Sequence, residues 1–86
     1  MSDSSQADMA RFLELVRPHL KLLDGGKELV LDADLEGLGL DSQAALNLML
    51  DLEDAFGVMF ADSMFTEETF ATPGSLWRAL LSLRKR

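Results

Sequence analysis

An all-α fold, a small bundle of three longer helices and one short one with a long loop between the first two, is what this 86-residue sequence predicts. Three observations lead there. Apolar residues recur at helical spacing in three separate segments. Start and stop signals for helices stand at the ends of those segments. Nearly half of the chain is apolar, with only six Gly and two Pro, which is the composition of an ordered globule rather than of a disordered tail. At this length the chain is expected to form one domain over residues 1–86, with residues 1–4 frayed and a basic tail at 84–86.

In the first segment Met9, Phe12, Leu13, Val16, Leu20 and Leu23 follow a helical period, and Ser5 or Asp3 can cap its start. Pro18 has no N–H to give to the carbonyl of Glu14, so the helix is expected to kink or end near Arg17, with at most one further turn to Leu23. Asp24-Gly25-Gly26 closes it. Residues 27–41 are apolar without sustained periodicity, and their leucines are expected to pack across the helices, with a short turn at Asp34–Gly37.

The central helix is expected from Ser42 to Phe56, with Ser42 as its N-cap and Gly57 as its stop. At about 100° per residue, Ala45, Leu48, Leu52, Ala55 and Phe56 share one apolar face with Met49 at its margin. A second stripe holds Ser42, Leu46, Leu50 and Glu53, with Gln43, Asn47 and Asp54 beside it. Thr66 before Glu67-Glu68 suits a short helix of one turn closed by Phe70. Thr72-Pro73 then reads as a cap followed by proline at the first helical position, and Leu76, Leu80 and Leu83 form the buried stripe of the last helix, flanked by Trp77 and Leu81.

Charge and composition remove several functions. The first 23 residues are neutral overall, residues 24–72 hold twelve acids against Lys27 alone, and the last fourteen carry four bases, for a net charge of −7. An acidic middle of this kind repels nucleic acid and attracts basic surfaces. No cysteine means no disulfide, no thiolate nucleophile and no sulfur-ligated zinc. No apolar run reaches the length of a membrane span, and the N-terminus has no basic region leading into a hydrophobic one, so a cytoplasmic protein is expected. Asp32, Asp34, Glu36-Gly37 and Gln43 approach the spacing of a calcium loop, but Gln43 stands where a bidentate carboxylate is required, and no metal is assigned. Ser42 lies in no Gly-x-Ser-x-Gly elbow and the single histidine, His19, is on another segment as a partly exposed surface residue, so no enzymatic activity is expected.

The run Leu38-Gly39-Leu40-Asp41-Ser42, followed by Leu48-Met49-Leu50-Asp51-Leu52-Glu53-Asp54-Ala55-Phe56, resembles the phosphopantetheine-dependent carrier proteins, whose attachment motif is Leu-Gly-x-Asp-Ser opening an acidic helix. The resemblance covers most of the chain. It departs at Gln43, where the family usually has Leu, and at Ala44 and Asn47, where acids are common. It implies the same all-α four-helix bundle, with 4'-phosphopantetheine from coenzyme A joined to the Ser42 oxygen by a separate transferase and Asp41 beside the attachment point. Physical chemistry agrees there, because the charge of a phosphodiester is favoured at a helix N-terminus.

The function so implied is to hold an acyl or aminoacyl group as a thioester and deliver it to enzymes acting in trans. The implied partners are the phosphopantetheinyl transferase, a loading ligase or synthetase, and downstream acyl- or peptide-transferring enzymes, met by a monomer. Gln43, Leu46, Leu50, Glu53 and Asp54 are the expected partner-binding residues. Ala44, Asn47 and the Phe70-Ala71-Thr72-Pro73 entry to the last helix are more similar to peptidyl or aminoacyl carriers than to fatty-acid carriers. The alternative is an unmodified acidic helical adaptor that binds a partner through Leu46 and Leu50, with Ser42 serving only as a cap.

Overall fold

The computed structural model describes residues 3–23 and 26–84. These form three α-helices, α1 (Asp3–Val16), α2 (Ser42–Phe56) and α3 (Pro73–Arg84), with 3-10 turns at Arg17–His19 and Asp62–Met64 and no strand among the described residues. Helix α1 runs from Asp3, and Met1 and Ser2 lie outside the described residues. Asp24 and Gly25 of the expected stop, and Lys85 and Arg86 of the basic tail, also lie outside.

Pro18 acts as its chemistry requires. The chain leaves the α-helix after Val16 and tightens into the 3-10 turn, with Pro18 in its first positions and the Leu20 amide donating to the Arg17 carbonyl at 3.0 Å. A further turn follows, from the Leu23 amide to the Leu20 carbonyl at 3.2 Å. Leu20 is thereby returned to the core that Phe12 and Val16 enter from α1.

The long first connection packs inward through Leu29, Leu35 and Leu40, while Val30 and Leu31 remain largely in water. Backbone bonds hold it at both ends of the fold: Leu22 N–H to the Leu38 carbonyl at 2.9 Å, Leu35 N–H to the Ala71 carbonyl at 3.0 Å, and Gly74 N–H to the Leu31 carbonyl at 2.8 Å. The expected turn is present, with Leu38 N–H bonded to the Asp34 carbonyl at 3.0 Å.

Helix α2 turns Ala44, Ala45, Leu48 and Leu52 into the core and ends at Gly57, whose φ of 66° is a conformation glycine takes without steric cost. Helix α3 buries Leu76 and Leu80 and sets Trp77 5.0 Å from Phe12 and 6.5 Å from Phe56, centroid to centroid. Two guanidinium groups, of Arg11 and Arg84, stand 5.6 Å from the centre of the Phe56 ring, and Arg84 also pairs with Asp8 at 2.9 Å, tying the end of α3 to α1.

The fourth, short helix takes a different form. Residues 66–70 make a single turn, closed by Phe70 N–H to the Thr66 carbonyl at 3.2 Å. Thr66 Oγ1 accepts from the Thr69 amide at 3.2 Å and lies 3.1 Å from Thr69 Oγ1, capping the start of this turn, and Pro73 has no N–H with which to prolong it.

Candidate functional site

The Leu38–Ser42 segment is held from behind by the chain that follows α1. Gly39 has φ of 100°, and a Cβ there would stand 3.1 Å from the backbone nitrogens of Lys21 and Leu22, so both the torsion and the close approach call for glycine. Leu40 is buried next to it, and Asp41 then turns out to the surface with extended backbone, φ −94° and ψ −176°.

Asp41, not Ser42, is the N-cap of α2. Its Oδ1 accepts from the Ala44 amide at 2.8 Å, and its carbonyl accepts from Ala45 N–H at 2.8 Å as the first helical bond. A carboxylate is a stronger acceptor than a hydroxyl, and its reach to the third amide begins the helix one residue ahead of the serine. Ser42 therefore occupies the first helical position, exposed, with its hydroxyl unused by the cap. The Ala44 amide, and after it the ammonium of Lys21 at 3.4 Å from Oδ2, hold the Asp41 carboxyl below its ordinary 3.8.

Of the expected partner-binding residues, Gln43, Leu46, Leu50 and Asp54 are exposed, Leu46 at 40% and Leu50 at 51%, while Leu48 and Leu52 on the opposite face have no exposed surface. Glu53 differs from them: it is half-buried, and its Oε2 accepts from the Phe60 amide at 2.8 Å, which fastens the loop after α2. Ala44 lies inside, so the lack of an acid at that position is a matter of packing. His19 is partly exposed, as expected, its side chain at 15%, and its Nε2 lies 2.8 Å from Asp51 Oδ2, a link between the 3-10 turn and α2.

An open groove of about 640 Å³ begins at Ser42 and runs between α2 and residues 65–71. Leu40, Ala45, Phe65 and Phe70 supply its apolar surface, with the two phenylalanine rings 5.4 Å apart and edge to face. Periodicity had no means of finding Lys21, Gly39 or Phe65, because each matters through a neighbour distant in sequence. The Gly39 signal was its place in the motif.

These residues fit a phosphopantetheine group on chemical grounds. Ser42 offers an accessible oxygen for a phosphodiester, and because the cap uses the Ala44 amide, those of Ser42 and Gln43 remain at the positive end of α2 to face a phosphate. Among the described residues no group of three or more His, Asp or Glu stands where it would hold a metal, and no helix is long and apolar enough to cross a membrane.

Residues 10–80 match the family described as phosphopantetheine attachment site. The chain is 34% identical over 64 residues to the aminoacyl carrier protein of Agrobacterium fabrum strain C58, covering 74% of this chain and 69% of that one. It is also similar, at 30% identity and a TM-score of 0.66, to a chain in the crystal structure of Bradyrhizobium japonicum glycine:carrier protein ligase complexed with glycylated carrier protein, over 83% of this chain and 96% of that one. With the motif, the helix that it opens and the match over residues 10–80 in agreement, the chain belongs to the phosphopantetheine-attachment family of carrier proteins.

Proposed function

We propose that this carrier protein bears an aminoacyl group as a thioester on 4'-phosphopantetheine attached to Ser42, receives it from a ligase acting in trans and delivers it to further enzymes. The observation that carries the reading is the division of labour at the start of α2: Asp41 caps the helix, so the Ser42 hydroxyl is left exposed for esterification. The group supplies a terminal thiol, the nucleophile that a cysteine-free chain lacks. Two relatives support the cargo and the partner, one named as an aminoacyl carrier and one glycylated and complexed with its ligase.

The chain's own part is to hold and present. Ser42 fixes the attachment point, the free amides of α2 face the phosphate, and the exposed Leu46 and Leu50 with Gln43 and Asp54 meet the partner, whose basic groups the acids attract. Glu53 serves the loop, and the turn at 66–70 stands in place of a short fourth helix. Residues 1–86 act as one carrier domain without catalysis of their own, in the cytoplasm where coenzyme A and the transferase are met. Incubation with coenzyme A and a broad phosphopantetheinyl transferase, followed by mass spectrometry of peptides, tests this: the mass gain is expected on Ser42. No gain leaves the unmodified adaptor, bound through Leu46 and Leu50, as the function.

A further inference from the structure

A phosphodiester on Ser42 sets a negative charge one residue from the Asp41 carboxylate, and two anions so close repel each other. The surrounding sequence offers little relief, since residues 24–72 hold twelve acids against Lys27 alone. The fold brings in a cation from outside that stretch. Lys21 Nζ stands 3.4 Å from Asp41 Oδ2, and both side chains are more than half exposed. Asp41 borders two hollows, the groove that begins at Ser42 and a smaller one beside Leu22 and Gly39, and among the described residues Lys21 is the one Lys, Arg or His that lines either. The backbone fixes where that cation starts. Leu22 N–H donates to the Leu38 carbonyl at 2.9 Å, and a Cβ on Gly39 would lie 3.1 Å from the Lys21 nitrogen, so the glycine of the motif is the surface against which Lys21 is seated.

We infer that Lys21 is the counter-charge of the attachment site, its ammonium held by Asp41 in the unmodified protein and shared between Asp41 and the phosphate once 4'-phosphopantetheine is joined to Ser42. The inference rests on attachment at Ser42 and adds a residue that recognises the group. Asp41 Oδ1 is taken by the Ala44 amide, which leaves Oδ2 to hold the ammonium near the first turn of α2, and an ammonium has three N–H groups with which to serve two anions. An exposed ion pair is worth little by itself. A second anion beside it raises what the same cation contributes, because Lys21 then offsets two charges that would otherwise repel. Both side chains stand in water, so the effect is screened by salt on the scale of a Debye length of about 10 Å at 0.1 M.

The test compares the unmodified and holo forms of the parent protein, Lys21→Gln and Lys21→Arg, each converted with coenzyme A and an excess of a broad transferase and checked by mass. In the parent, attachment is expected to shift the Lys21 Cε resonance of lysine-labelled protein. The phosphorus resonance of the holo protein is expected to move in Lys21→Gln and to respond less to salt there, and Lys21→Arg should restore the parental behaviour. Lys21→Gln should also lower the melting temperature more in the holo form than in the unmodified one, and that excess should shrink in high salt. A Lys21 resonance that ignores attachment, a phosphorus resonance unchanged by Lys21→Gln, or equal melting losses in the two forms overturns the shared role and leaves Lys21 as a partner of Asp41 alone, with attachment intact. Absence of any mass gain on Ser42 in the parent overturns the attachment, and this role of Lys21 with it.

Discussion

Two helices of this chain begin beside a hydroxyl, and the two hydroxyls have opposite fates. At the start of α3, Thr72 Oγ1 accepts from the Ser75 amide at 3.0 Å while the Thr72 amide lies 3.2 Å from Ser75 Oγ, a reciprocal cap that uses both hydroxyl side chains. Ser75 Oγ also reaches the Thr69 carbonyl at 2.9 Å, so the start of α3 is bonded to the turn before it. At the start of α2 a carboxylate does the capping and Ser42, one residue later, is left out. A polar residue at a helix start becomes chemically available when its neighbour satisfies the helix. Ser75 is part of the architecture; Ser42 is exposed and spare.

The largest expected effect breaks this contrast at its functional end. Ser42→Ala should abolish the mass gain with coenzyme A and transferase, and because Ser42 is not the cap its melting temperature should stay close to that of the parent protein. Thr72→Ala should keep full modification. If modification persisted in Ser42→Ala and mapped to another serine, the assignment would fail.

Next in size is the division along α2 itself. Leu52→Ala removes a side chain with no exposed surface and should cost about 2–5 kcal/mol in denaturant unfolding. Leu50→Ala, at a position 51% exposed, should cost well under that range while weakening transfer to or from a cognate enzyme. Comparable stability losses at the two positions would show that the exposed stripe is supported by the loop and is not kept for a partner.

A smaller effect sharpens the comparison of the two caps. Thr72→Ala should lower stability by about 0.5–2 kcal/mol, as loss of a hydroxyl cap does, and more than Ser42→Ala does in the same melt. Equal losses would place Ser42 in the cap after all.

The smallest is in acid. The Asp41 carboxyl titrates below 3.8 in the folded protein because the Ala44 amide, chiefly, and Lys21 favour its charged form. A depressed folded value means that the unfolded chain binds the proton first as pH falls, so this contribution to stability is complete above 3.8 and is lost as pH drops through the folded value. Following the carboxyl carbon by NMR, Lys21→Gln should raise the titration point only part of the way to 3.8, since the larger cause remains. A full return to 3.8 would mean that the ion pair, not the cap, governs Asp41.

What was legible in the sequence was whatever depends on near neighbours. The 3.6-residue period placed Phe12, Val16, Leu48, Leu52, Leu76 and Leu80 in the core, and all six are buried. Pro18 and Gly57 stopped helices through their own backbone chemistry, and Thr72-Pro73 started one. The Leu38–Ser42 motif pointed to the attachment family before any contact was known. Only the tertiary structure decided which of two adjacent polar residues caps α2, because a hydroxyl and a carboxylate are both good caps and the choice turns on where the loop delivers the chain. That delivery is set by Gly39 lying against Lys21 and Leu22 and by Leu40 entering the core. Tertiary structure likewise turned Glu53 onto the Phe60 amide and buried Ala44, and it brought Glu67, Glu68 and Phe65 to the groove that Ser42 opens, a meeting of residues more than twenty positions apart that packing makes and that leaves no periodic trace.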